Sequence, residues 1–346
     1  MRLRFLTLAA TVAIISTALS TSAQAPLTTL PLWPHSTPEP AQTTDHATDS
    51  QTTDRITSVT VPTLTVYPPR DHNTGSAAIV FPGGGYQILA WDKEGLAPCR
   101  WLNSLGMTCL LVKYRIPQPK GEAGHYPADP SDLEDAQQAM RIARAHAAEW
   151  HIDPTHIGVM GFSAGGNLAV LLSTHPDDHH VESTPAAPDV DTHIDARADF
   201  AIVVYPAYLA APPTETELFP AYTPNQFTPP TFLIQAENDH TYGKNALVYF
   251  RALMDANIPA ELHYFAGGGH GFGMNPVGAP EEHWPRLAAN WLRTLNIIPP
   301  LPHPRPEGPS IGGAYPCPLP DPAPPSHRTN SSSNTSVATT TDPNCW

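Results

Sequence analysis

Basic residues are scarce in this chain. Eighteen Lys and Arg stand against 32 Asp and Glu, for a formal net charge of −14, and no Lys/Arg-rich tract offsets the deficit. A nucleic-acid partner is thereby disfavoured, as is an anionic membrane surface. Cysteine is also sparse, four in 346 residues, too few for a disulfide scaffold in place of a core. Long hydrophobic runs are missing too. Residues 5–19 are apolar but too short to span a bilayer comfortably. With Arg2 and Arg4 before that run and Ala23-Gln24-Ala25 after it, residues 1–25 read as a signal peptide. The expectation is an exported protein, secreted or periplasmic, with no membrane attachment after cleavage. Charged residues make up only 14% and apolar residues 41%, so a globular domain with a substantial core is expected.

Proline, by contrast, is abundant, and it marks the borders. Residues 26–55 are rich in Thr, Pro and Asp and read as an irregular leader. Residues 298–346 are enriched in Pro and then in Ser, Thr and Asn. Such a segment cannot bury enough apolar surface to offset its chain entropy, so a disordered tail is expected. Between these lies a domain at 56–297. Residues 57–67 alternate as a partly exposed strand. Apolar runs at 76–81, 107–114, 156–160, 200–205, 231–235 and 261–265 then alternate with helical patterns at 93–105, 132–150, 167–172, 244–256 and 282–295. Strands apolar on both faces, alternating with helices, predict an α/β fold with a mostly parallel sheet covered on both sides. Cys99 and Cys109 flank a helix-to-strand turn; two buried thiols are the expected reading, and a bridge is the alternative.

The chemistry gathers at strand ends. Ser163 lies in Gly161-Phe162-Ser163-Ala164-Gly165, between a strand-like and a helix-like run, where a sharp turn would lift one hydroxyl above the sheet. A serine hydroxyl is a poor nucleophile without a base. His270, inside Gly267-Gly268-Gly269-His270-Gly271-Phe272-Gly273, follows a strand and can place an imidazole over that rim. Asp239 follows another strand and would orient the imidazole; Glu237 is its competitor. The glycines of Pro82-Gly83-Gly84-Gly85-Tyr86 end a third strand. There the N–H groups of Gly84 and Gly85 could meet that of Ala164 as an oxyanion hole, with Tyr86 beside them as a substrate contact. A phosphate-binding reading of these glycines lacks a following Lys-Ser/Thr. A metal site from Asp177, Asp178, His179 and His180 is disfavoured, because neighbouring loop residues rarely converge on one ion. No metal or organic cofactor is required. Residues 207–230 could line the substrate site or merely connect strands.

With these residues placed, the chain resembles the α/β-hydrolases of the secreted acetyl esterase group, the acetylxylan and feruloyl esterase-like relatives of dienelactone hydrolase. The likeness rests on Leu32-Trp33-Pro34, Pro82-Gly83-Gly84-Gly85-Tyr86, Lys113-Tyr114-Arg115, Asp135-Ala136-Gln137, Gly161-Phe162-Ser163-Ala164-Gly165-Gly166 and Gly269-His270-Gly271-Phe272-Gly273. It implies Ser163 as nucleophile, His270 as base and Asp239 as its orienter. It also implies hydrolysis of carboxylic, often acetyl, esters, on a small-molecule or oligosaccharide substrate. Two readings compete with it: an oligopeptidase-type serine peptidase, and a non-catalytic carbohydrate-binding protein on the same fold.

Overall fold

A computed structural model describes residues 25–35, 54–56, 59, 61–116, 130–177, 189, 191–212, 214–274 and 278–301. The expected signal peptide but for Ala25, most of the expected tail, Cys317, Cys345 and the Asp178-His179-His180 run lie outside the described residues. The strands are β1 (Thr28–Pro31), β2 (Thr63–Tyr67), β3 (Ala77–Phe81), β4 (Thr108–Lys113), β5 (Ile157–Phe162), β6 (Ala201–Val204), β7 (Thr231–Ala236) and β8 (Ala260–Phe265). They form one sheet in the order β1-β2-β4-β3-β5-β6-β7-β8. Pairing is antiparallel for β1–β2 and β2–β4 and parallel from β4 through β8. The α/β expectation holds. The helices are α1 (Ala97–Ser104), α2 (Ser131–Ala145), α3 (Ala164–Thr174), α4 (Asn245–Asp255) and α5 (Trp284–Thr294). Among the described residues no helix is long and apolar enough to cross a membrane.

Each central strand feeds two cores, because successive side chains point to opposite faces. Ile79, Leu110, Val159, Val203 and Leu233 pack with α2, α3 and α4 through Leu133, Leu168 and Leu253. Val80, Leu111, Met160, Ile202 and Phe232 pack on the other face with Leu102 of α1 and Trp284, Trp291 and Leu292 of α5. Both faces of the central strands are sealed. What remains available for chemistry is the rim where β3, β5, β7 and β8 end, the usual ligand side of a parallel sheet.

Three features differ from the sequence reading. Residues 28–31 are not irregular: they form β1 on the sheet edge, in register with β2 from Thr28 opposite Val66 to Pro31 opposite Thr63. Its alternately half-buried and exposed residues give too short a run for periodicity to declare it. The domain also reaches Ile298, which is buried beside Ile297, while the Ser76 hydroxyl donates to the Ile297 carbonyl. Finally, Cys99 and Cys109 are joined in a disulfide, with their Cα atoms 5.1 Å apart. Cys109 and Leu111 share the face of β4 that meets α1, so the two sulfurs lie on facing surfaces. Closing so short a loop stabilises the fold by about 2–3 kcal/mol.

A sealed polar cluster fastens the N-terminal edge. Arg115 donates from Nε and Nη2 to Asp135 at 2.8–3.1 Å and from Nη2 to Glu134 at 3.1 Å. Trp33 Nε1 donates to Asp135 Oδ1 at 2.7 Å. Burial pulls the guanidinium pKa down, but the two carboxylates more than restore it, leaving it above its ordinary value.

Candidate active site

Ser163 joins β5 directly to α3 with φ 53° and ψ −117°, backbone angles that L residues avoid and that cost about 1–3 kcal/mol. The surroundings hold it there. Its N–H donates to the Val204 carbonyl at 3.0 Å, and its own carbonyl accepts from Asn167 and Ala207 at 3.1 Å each. The flanking glycines permit the turn. A Cβ on Gly161 would stand 2.0 Å from the Gly165 carbonyl oxygen, and one on Gly165 would stand 2.1 Å from that of Phe81. Strand and helix could not approach so closely with any other residue.

The loop after β8 carries His270 back over this turn, and its Nε2 lies 2.8 Å from Ser163 Oγ. On the other side of the ring, Nδ1 lies 2.7 Å from Asp239 Oδ2. Asp239 follows β7 and is over-determined. Its Oδ1 accepts the N–H groups of Thr241 and Tyr242 at 3.2 and 3.0 Å, and its Oδ2 accepts Gln235 Nε2 at 3.1 Å. The competing Glu237 is exposed. Side-chain exposure is 1% for Asp239 and 30% for His270. A buried carboxylate facing Nδ1 keeps the proton there, which leaves Nε2 free to accept the hydroxyl proton. The rings of Tyr205 and Tyr242 flank the imidazole, at 5.3 and 4.9 Å between centroids.

The glycine loop after β3 runs beside Ser163: a Cβ on Gly83 would fall 2.8 Å from the Ser163 Cβ. The Gly84 carbonyl closes a tight turn by accepting from Gln87 and Ile88 at 3.1 and 3.2 Å. Its φ of +137° and a virtual Cβ 2.1 Å from the Ile88 oxygen exclude a side chain. Gly84 and Gly85 border the same cleft as Ser163 and His270. Ala164 opens α3, so its N–H has no partner inside the helix. These amides can receive an oxyanion formed on a carbonyl attacked by Ser163.

Tyr86 departs from its expected role as a substrate contact. It is 2% exposed, and its hydroxyl donates to Asn167 Oδ1 at 2.7 Å. A φ of 58° turns it from the cleft into the core, and burial lifts its phenol pKa well above the ordinary value. Tyr208 lines the cleft instead, stacked on Tyr86 at 6.1 Å. The cleft, about 550 Å³, is also bordered by Asp54, Arg55, Gln87, Lys93, Glu94 and Tyr242. Within residues 207–230, Tyr208 faces the cleft while Tyr222 is buried in the core, so the segment both lines and connects. Neither Tyr208 nor Glu94 stands in a motif that chemistry alone would single out.

Comparison with known proteins fits this geometry. The family model described as BD-FAE matches residues 64–246, more than half of the chain. An acetylxylan esterase of Xylanibacter ruminicola is 27% identical over 248 residues, covering 65% of this chain and 47% of that protein. Endo-1,4-beta-xylanase B of Butyrivibrio fibrisolvens is 29% identical over 229 residues, covering 61% and 34%. The chain therefore spans about half the length of the first of these relatives and about a third of the second. Among solved structures, an acetyl ester-xyloside bifunctional hydrolase from Caldicellulosiruptor lactoaceticus superposes with a TM-score of 0.59 at 28% identity, covering 78% of this chain and 97% of that one. A butyrate-bound esterase, Est2 of Thermogutta terrifontis, gives 0.57 at 25% identity, with 70% and 92% covered.

Proposed function

The chain belongs to the BD-FAE family, and on that premise we propose that it is a secreted or periplasmic serine esterase acting on carboxylic, chiefly acetyl, esters of oligosaccharides. One observation carries the reading: the unbroken line from Ser163 Oγ through His270 to Asp239, at 2.8 and 2.7 Å. His270 Nε2 takes the hydroxyl proton as Ser163 Oγ attacks the ester carbonyl. The negative charge develops on the carbonyl oxygen, against the N–H groups of Gly84, Gly85 and Ala164. Collapse expels the alcohol, which receives the proton from His270, and leaves an acyl group on Ser163. A water, deprotonated by the same imidazole, then releases the acid. The chemistry calls for no cofactor.

The carbohydrate assignment draws support from relatives whose names speak of acetylxylan and xylan, and from a cleft bordered by polar side chains as well as tyrosines. Export draws support from the basic, then apolar N-terminus and from the Cys99–Cys109 disulfide, a bond that persists in oxidising compartments. Ser163→Ala lowers acetate release from 4-nitrophenyl acetate and acetylated xylo-oligosaccharides by at least about 1,000-fold. A near-normal rate in that variant contradicts the mechanism. Slower release from the acetylated oligosaccharides than from a long-chain aryl ester contradicts the substrate.

A further inference from the structure

Glu94 borders the cleft, yet it is 5% exposed, and desolvation raises its carboxyl above the usual carboxylate range. A carboxylate so buried is costly unless both oxygens are satisfied. Both are. Oε2 accepts the N–H of Gly83 at 2.9 Å, and Oε1 accepts the Tyr205 hydroxyl at 2.8 Å. That hydroxyl oxygen in turn accepts the N–H of Gly273 at 3.0 Å. One hydrogen-bonded chain thus runs from the oxyanion loop after β3 to the histidine loop after β8. There is little slack along it, since a Cβ on Gly83 would meet Glu94 Oε2 at 2.5 Å. The Trp284 indole holds the far side of the histidine loop by donating to the Gly273 carbonyl at 2.9 Å.

Backbone geometry aims the carboxylate inward. Glu94 lies in a π-helical turn, Asp92–Leu96, ahead of α1, and such single turns are frequent at functional sites. The Asp54 carboxylate anchors the start of this turn by accepting the N–H groups of Asp92 and Lys93 at 2.7 and 3.0 Å.

We propose that Glu94, acting through Tyr205, is a positioning residue that sets the oxyanion donors and the His270 imidazole in register with one another. The attacked carbonyl must meet both groups at once, and neither loop is held to the other by the triad itself. Fixing their spacing before substrate arrives removes reorganisation from the transition state and leaves ground-state binding largely untouched.

The inference rests on the serine-esterase reading, so wild type and Ser163→Ala are measured first on 4-nitrophenyl acetate. Wild-type turnover that Ser163→Ala does not abolish, or no turnover at all, overturns that reading and this inference with it. Given Ser163-dependent turnover, Glu94→Ala lowers kcat about 100-fold, the size of effect a misplaced catalytic group produces, with KM within about threefold. Glu94→Gln recovers to within about tenfold of wild type, because its amide oxygen still accepts from Gly83. Tyr205→Phe costs about tenfold, and the Glu94→Ala/Tyr205→Phe pair is no slower than Glu94→Ala alone, as expected for members of one chain. Affinity for a trifluoromethyl ketone, which forms a tetrahedral adduct on the serine, falls in parallel with kcat. Additive losses, an unchanged kcat in Glu94→Ala, or undiminished affinity for the ketone overturn the proposal. Should Glu94→Ala fail to melt cooperatively, Glu94→Gln, Tyr205→Phe and their double variant decide by the same additivity.

Discussion

Two buried polar networks in this fold use similar parts to opposite ends. The Arg115 cluster joins a guanidinium to two carboxylates, and its side chains are 1%, 0% and 6% exposed for Arg115, Asp135 and Glu134. It clasps α2, the chain after β4 and, through Trp33, the chain after β1. The line at the rim also holds a buried carboxylate, that of Asp239, but its partner imidazole is 30% exposed and reaches a serine bordering the cleft. In the first network every charge is spent on another part of the fold. In the second, one lone pair, on His270 Nε2, meets an oxygen that substrate can also reach. Burial of charge is therefore a poor guide to chemistry; what distinguishes the rim is an imidazole left partly exposed beside a serine with strained backbone angles.

Substitution can break this contrast at either end. Asp239→Asn should leave the fold intact and lower kcat about 1,000- to 10,000-fold, because the imidazole loses the group that fixes its tautomer. A steady-state assay beside a melting curve checks this, and a loss below about tenfold contradicts it. Asp135→Ala should do the reverse. Stripping the buried guanidinium of its principal carboxylate costs about 3–5 kcal/mol, read from the denaturant midpoint, while kcat per folded molecule stays within about twofold. A selective loss of kcat there would merge the two networks into one. The smallest effect belongs to the bridge: Cys99→Ser/Cys109→Ser should cost about 2–3 kcal/mol and leave kcat unchanged. Equal midpoints for the double variant and the parent would contradict the bond's contribution.

The sequence was most legible where local backbone geometry dictates residue type. Gly161 and Gly165 are legible because a Cβ at either would collide with backbone, and that pattern marks the strand-to-helix turn bearing Ser163. His270 and Asp239 are legible because parallel strands deliver their following loops to one rim. Legibility fails where a residue's direction depends on distant contacts. Tyr86 follows three glycines as a substrate contact would, yet its positive φ sends it toward Asn167. Glu94 reads as an ordinary helical position until the π-helical turn rotates it inward. Cys99 and Cys109 leave bridge and thiols open until the face of β4 that carries Cys109 is known. β1, with four residues on an edge, is too short a run for its alternation to stand out.

The most direct test treats the intact protein with a serine-directed organophosphate and locates the adduct by peptide mass spectrometry. An activated hydroxyl predicts a single modified peptide carrying Ser163, with labelling at least about 100-fold slower in His270→Ala. An unlabelled Ser163 in folded protein, or labelling that ignores the loss of His270, would contradict it.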